Sequence, residues 1–402
     1  MKVEQLSKPI KIGSKTAPNR IVYQPTESNN CDDRGSPTRY TFDKYKAIAK
    51  GRPGIMHVES IDVTRKTQAR SNRMLIMEEN LPGLKELVAE MRKINDESLI
   101  VFQLSHAGRL SDPAFQPPFT VYATGDPRVR VMSTEEIVAT REEFAASARR
   151  AYEVGADGVD FKQAHGFIGD DFLHPANDRN DPYGGSWENR TRFFRETIGR
   201  MREEIKDPGF LIGSRISPYE GIPGGFGTSG PEDMLEDLAE PIAFARLMEQ
   251  EGIDFINVSA GFASANLEIL MPTATYPEGV FRHFAWTRAI KRAVSVPVIG
   301  SGYSRLKDGD DALHIPDPEK RTFLYWAEKN LRDGHVDLVG VGRQAIADPE
   351  FARKLLDGRL AQIRWCVTCN ECGALLGANR RVGCTIFDRE YRELLREVRQ
   401  GR

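Results

Sequence analysis

Long apolar runs are missing from this chain. None approaches the roughly 18 residues that cross a bilayer, and the opening Met1-Lys2-Val3-Glu4-Gln5-Leu6 lacks the apolar core of a secretory signal. Charge of one sign is missing too. Lys and Arg number 56 against 58 Asp and Glu, a net charge of −2, so there is no electrostatic footprint for nucleic acid. Neither a membrane nor a nucleic acid is an expected partner, and the expected location is the cytoplasm. Cysteine is scarce: five in 402 residues, too few for a disulfide framework. The scarcity is uneven. Cys31 stands alone, whereas Cys366, Cys369, Cys372 and Cys384 fall in one short segment. Thiols clustered in this way suggest metal or redox work. Internal repeats and low-complexity segments are absent. No G-x-G-x-x-G follows the first predicted strand, which counts against a dinucleotide-binding open sheet.

What is present is alternation. Eight short apolar runs read as strands: 20–24, 54–59, 99–104, 158–161, 210–216, 254–259, 296–300 and 336–341. Most are near-continuous in apolar residues, as expected of parallel strands buried on both faces. Helical patterns separate them. Ser133 and Glu136 form a capping box before a helix that Gly155 stops. Ser229 and Glu232 predict a second box before a helix over 234–251. Residues 189–205 and 318–331 read as further helices, and 109–130 as an irregular Pro-rich loop, a candidate lid. Strict strand–helix alternation predicts an α/β fold, a single (β/α)8 barrel. An N-terminal hairpin should cover its floor. The expected domains are a barrel over 1–362 and a Cys-rich extension over 363–402.

In such a barrel, chemistry sits at the C-terminal strand ends. The first strand is followed by Pro25, Thr26 and Glu27, and the second by Glu59. The third ends with Gln103, His106 and Arg109, the fourth with Lys162 and His165, and the fifth with Arg215. The seventh offers Gly300, Ser301 and Gly302, and the eighth Gly342 and Arg343. Small residues and an arginine after the last two strands suit a phosphate. Gln103 can read the donor–acceptor edge of a heterocycle, and Arg215 can face an anionic ring. A phosphorylated planar heterocycle such as FMN would fit these parts. For Lys162-x-x-His165 taken alone, a solvated lysine and a core histidine fit equally well.

These motifs together resemble the old yellow enzyme family of FMN-dependent oxidoreductases. The carrying residues are Asn19-Arg20-Ile21-Val22, Gln103 through Arg109, Ala164-His165-Gly166-Phe167, Tyr183-Gly184-Gly185-Ser186, Glu188-Asn189-Arg190, Arg215-Ile216-Ser217, Gly342-Arg343 and Asp348-Pro349. The resemblance implies that Pro25, Thr26, Gln103 and Arg215 line the flavin. It implies that Gly300, Gly302, Gly342 and Arg343 hold its phosphate, and Glu59 joins this candidate set. The implied reaction is reduction of an activated alkene by hydride from reduced FMN, with NAD(P)H as electron donor and a small molecule as substrate.

Three departures from the family pattern stand out. Lys162 replaces a histidine that normally hydrogen-bonds a substrate carbonyl, and an acidic substrate would suit it. Phe167 replaces a tyrosine that supplies a proton. Glu27 stands where Thr or Cys is usual, and could act as a base or pair with Lys162. The candidate catalytic residues are therefore Lys162, His165 and Glu27. The cysteine segment resembles that of the 2,4-dienoyl-CoA reductase and trimethylamine dehydrogenase branch. There, Cys366, Cys369, Cys372 and Cys384 would ligate a [4Fe–4S] cluster, with zinc as the alternative. A downstream nucleotide-binding region does not follow, so a separate electron-transfer protein is an expected partner, as is a second copy of the chain. Competing readings are oxidation of an amine or methylated substrate, a Schiff-base lyase using Lys162, and a non-catalytic flavin or cluster carrier.

Overall fold

The structure is a computed structural model that describes residues 2–273, 278–306 and 315–401. Twelve strands are described among these residues. β1 (Ile10–Ile12) and β2 (Lys15–Ala17) form an antiparallel hairpin. β3 (Ile21–Tyr23), β4 (Ile55–Asp62) and β5 (Leu99–Ser105) begin the barrel. β6 (Phe119–Thr120) and β7 (Arg130–Val131) pair with each other outside it. β8 (Gly158–Gln163), β9 (Leu211–Ile216), β10 (Phe255–Val258), β11 (Val298–Gly300) and β12 (Leu338–Val341) complete it. The eight barrel strands close in the order β3-β4-β5-β8-β9-β10-β11-β12, all parallel. The expected (β/α)8 barrel is the observed fold.

Strand side chains alternate sides with a period of two, and this builds the barrel interior in layers. The floor is apolar. Val22, Ile55, Val101, Leu211, Phe255, Ile299 and Leu338 pack there against Ile12 and Ala17 of the hairpin. Two residues further along each strand the interior turns polar: Gln24, His57, Gln103, Asn257 and Ser301, with Asp160 on β8, all buried. Gly213 and Gly340 belong to this layer and have no room for more. A Cβ on Gly213 would lie 2.2 Å from the Phe255 ring, and one on Gly340 would lie 2.2 Å from Gln24 Nε2. Outward-facing residues such as Phe102, Val159, Phe161 and Ile212 meet helix residues such as Phe144, Phe193, Phe194 and Met201.

The helix Thr134–Glu153 starts at the expected box, with Ser133 and Glu136 capping each other. Gly155 follows its end at φ +91°. The expected Ser229–Glu232 box is not formed. Ser229 Oγ bonds Asp233 instead, Thr228 bridges Glu236, and the helix starts only at Ala239 (Ala239–Gln250). Asp233 and the hydroxyls satisfy the local turn and leave no cap for a helix. The segment 109–130 is not irregular throughout, because it carries β6. Arg179 ties it down with donations to the carbonyls of Val121 and Met132 at 2.7 Å.

After the barrel, the chain forms a small separate apolar cluster of Leu375, Val382 and Leu395. This joins the helices Glu371–Gly377 and Arg389–Arg399. It docks on the loop that follows β3: the N–H of Val382 donates to the Ser28 carbonyl at 2.9 Å, and Asn29 Nδ2 to the Arg380 carbonyl at 3.2 Å.

Candidate active site

The polar layer is a continuous network. Asp160 Oδ2 accepts from Gln103 Nε2 at 3.0 Å and from Asn257 Nδ2 at 3.1 Å. Gln24 and Asn257 exchange two amide bonds at 2.9 Å. Arg215 Nη1 donates to Gln24 Oε1 at 3.1 Å. Burial pulls Arg215 down to about 10, with Asp160 opposing the shift, so it stays cationic at neutral pH. Burial also pulls His57 down to about 4, against the pull of Asp160, so its ring is neutral. Arg215 Nε, although buried, has no hydrogen-bond partner. The network thus holds a buried cation with a spare donor.

Lys162 lies on the layer above, in register with Arg215. It belongs to the strand itself, not to the loop past it as expected, because β8 runs on to Gln163. Its Nζ bonds Ser60 Oγ at 3.3 Å and lies 3.1 Å from the centroid of the Phe167 ring. Burial lowers its pKa to about 7, with Glu27 opposing and Arg73 and Arg215 adding to the fall. His165 holds φ at +70°. Its carbonyl accepts from the Ala263 N–H at 3.2 Å, and its Nε2 meets Ser259 Oγ at 2.8 Å. Gly166 must be glycine: at φ +77°, a Cβ would lie 2.4 Å from the Phe262 ring. Burial, then Arg215 and Lys162, hold the His165 imidazole neutral.

Glu27 does not pair with Lys162. Arg70 and Arg73 hold its carboxylate, Arg73 Nη1 at 3.1 Å, and Arg73 Nε also meets Asp62 Oδ2 at 2.7 Å. Burial alone would raise Glu27, but Arg73, Arg70 and Lys162 outweigh it and hold the carboxyl at about 2. A group that acidic is no base near neutrality. Asp62 moves the other way, pushed by burial to about 7 despite Arg73.

Glu59 also departs from expectation. It lies mid-strand, because β4 extends to Asp62 and carries a bulge between Val58 and Ile61. The extra residue re-aims side chains, so Ser60 takes the place beside Lys162. Glu59 instead accepts from Ser28 at 2.6 Å, Lys44 at 3.1 Å and Tyr45 at 3.3 Å. Its carboxylate is engaged by the protein and is not left for a cofactor.

A third group lies behind Gly166. Tyr122 OH meets His174 Nδ1 at 2.7 Å, and His174 Nε2 meets Glu220 Oε2 at 2.6 Å. The Gly166 N–H donates to Asp170 Oδ2 at 2.8 Å. Arg109 closes the group through Tyr122 at 3.0 Å and Asp171 at 2.7 Å. Burial raises both Asp170 and Glu220, the latter to about 7.

Of the expected phosphate residues, Gly302 heads a short turn at φ +94°. The N–H of Gly342 is already bonded to Ser304 Oγ at 2.6 Å. Gly300 is a packing residue, since a Cβ there would lie 3.0 Å from both Thr287 and Val336. Arg343 points towards the cysteine segment, with its guanidinium on Asn370 and, at 3.2 Å, on the Pro272 carbonyl. Pro25 and Thr26 are half-buried at the end of β3, and Lys44 holds the Thr26 carbonyl at 2.6 Å.

Cys366, Cys369, Cys372 and Cys384 line one pocket with Arg343, Ile346, Val367 and Ile386. Thr368 and Asn370 take positive φ, at +55° and +57°, and fold the three-cysteine run around it. The Thr368 N–H donates to Cys366 Sγ at 3.4 Å.

Sequence reasoning missed Gln24, Asp160 and Asn257, although each stands two residues past a floor position and the period of two would have found them. Arg70 and Arg73 sit in a loop with no periodic signal.

A family model described as the NADH:flavin oxidoreductase / NADH oxidase family matches residues 5–362. An NADH oxidase of Thermoanaerobacter brockii is 30% identical over 97% of this chain and 57% of its own length. An NADPH dehydrogenase of Bacillus subtilis is 30% identical over 87% of this chain and 93% of its own. A solved 2-naphthoyl-CoA reductase superposes with a TM-score of 0.80 at 24% identity, over 97% of this chain and 58% of that one. The chain spans just over half the length of the first and third of these.

Proposed function

The chain belongs to the NADH:flavin oxidoreductase / NADH oxidase family, and from that premise we propose that it is an FMN-dependent enzyme that reduces an activated carbon–carbon double bond, with NAD(P)H as electron donor. The observation that carries this reading is Arg215, a buried cation bonded to Gln24 of the polar layer with its Nε left unpartnered. A flavin ring gathers negative charge when reduced, and a fixed cation beneath it stabilises that charge without reorganisation. Gln103, oriented by Asp160, would read the ring's pyrimidine edge. These residues suit FMN: Pro25 and Thr26 would line the ring, and the turn at Gly302 would take its phosphate, since the Gly342 N–H is already bonded to Ser304. When bound, FMN supplies hydride transfer, and the protein supplies position and electrostatics. Lys162 and His165 orient the substrate from the layer above, Lys162 as a hydrogen-bond donor and His165 as a neutral ring.

The four cysteines line one pocket, and four thiolates around it suit a [4Fe–4S] cluster, with zinc as the alternative. Burial pushes Cys366, Cys372 and Cys384 up, Cys372 to about 12, while Arg343 pulls Cys366 and Cys372 back. Thiolates here need a cationic ligand to persist at neutral pH.

An anaerobic half-reaction experiment tests the reading. NADH or NADPH should bleach the bound flavin, and an α,β-unsaturated carbonyl compound or acid should restore it. Arg215→Ala should slow turnover about a hundredfold or more. Flavin that stays oxidised with both nucleotides, or reoxidises with amines but with no alkene, contradicts it.

A further inference from the structure

The charges at the strand ends do not balance. Lys162, Arg70 and Arg73 face two carboxylates, Glu27 and Asp62, and the arginines hold both of these. Among the described residues no carboxylate comes within 4.0 Å of Lys162 Nζ. Its neighbours are the Ser60 hydroxyl at 3.3 Å and the Phe167 ring. An ammonium has three donors, so at least one is left over. The side chain is 4% exposed, and a charge so deeply buried is rarely left without a counter-charge. Phe167 accentuates the point, since its ring offers only a π face to the cation.

Arg215 is not the missing partner's rival. It stands in register with Lys162, but its Nη1 donates to Gln24 at 3.1 Å, and the carboxylate acting on it is Asp160. His165 adds no charge, because its ring is neutral and meets Ser259. Among the described residues, Lys162 is thus an amine with no carboxylate within ion-pair distance, and a bound anion would hold it in its charged form.

We propose that Lys162 binds a carboxylate of the substrate, and that the substrate class is the α,β-unsaturated carboxylic acids rather than neutral enones or cationic amines. This rests on the reading of the strand-end face as the substrate site. The chemistry is consistent with the choice. The negative charge of an enoate opposes hydride addition, and an adjacent ammonium offsets it. A protonated amine would instead meet the positive charges of Lys162, Arg70 and Arg73 with both nearby carboxylates already engaged.

The test uses the flavin-loaded protein in its oxidised state, where no turnover occurs. Crotonate and crotonamide have nearly the same shape and differ in charge. Binding is followed by calorimetry and by the shift of the flavin bands. Crotonate should bind at least tenfold more tightly than crotonamide. The preference should persist in Lys162→Arg and vanish in Lys162→Met and Lys162→Gln, with flavin content unchanged in all three. Binding near neutral pH should also take up protons, seen as a buffer-dependent heat, because the anion raises Lys162. Equal affinity for the two ligands in the wild type overturns the proposal. So does a crotonate preference that survives in Lys162→Met while only the flavin reduction potential falls, which would assign the charge to the cofactor. A protein that holds no flavin ends the parent reading, yet the calorimetric comparison still decides this one.

Discussion

At the scale of single residues, the site is governed by which charges are paired. Glu27 shows it best. Its two arginines keep its carboxyl at about 2 although burial pushes the other way. Its folded pKa lies below its unfolded value near 4.5, so its contribution to stability is complete above about pH 4.5. That contribution disappears as pH falls towards 2. Glu27→Gln should therefore lose stability at neutral pH but lose little more on acidification. Urea melts between pH 6 and 3 should show the wild type and the variant converging at the acid end. Parallel curves would mean that the carboxylate is not paired in solution. The sequence placed Glu27 beside the site but could not show its partner, because Arg70 and Arg73 arrive from a loop whose path no periodicity encodes. Lys162 was expected just past the end of its strand and lies within it, and its lack of an ion pair became visible only once the arginines were located.

At the scale of elements, local rules succeeded where one side chain had one partner. The box at Ser133 formed because Glu136 returns its bond to the Ser133 N–H at 2.9 Å. Ser133→Ala should cost about 1 kcal/mol, measurable as a lower urea midpoint with unchanged slope. A cost near zero would mean that tertiary packing alone starts the helix Thr134–Glu153. The matching motif at Ser229 failed because Asp233 competed for the hydroxyl. Strand order, parallel pairing and the hairpin under the floor were all legible from apolar runs and their spacing. The bulge in β4 was not, since one extra residue leaves no compositional mark. It turned Glu59 away from the place expected of it and put Ser60 there. The cysteine segment is an element with its own small core, so metal and flavin should be separable. Cys366→Ser should lose iron, determined as about four atoms per chain in the wild type, and keep FMN. One zinc and no iron after anaerobic preparation would contradict the cluster.

At the scale of the whole molecule, the layered barrel fixes the residues of the proposed site. An apolar floor sealed by the hairpin supports a polar layer, which holds Gln103 through Asp160 and Arg215 through Gln24. The cysteine segment docks on the loop after β3, beside Pro25 and Thr26, so two redox centres would lie on one face. That juxtaposition, and the direction of Arg343 from the barrel towards the thiols, could not be read from a sequence in which the two segments lie more than 300 residues apart. By the proposed function, the barrel holds FMN noncovalently beside Arg215. The most direct measurement is the flavin released on heating the purified, FMN-reconstituted protein, quantified and identified by chromatography. About one FMN per chain should be freed completely, because Glu27 stands where a cysteine could have formed a bond. A protein that stays colourless after reconstitution, or whose flavin remains attached to the denatured chain, would contradict it.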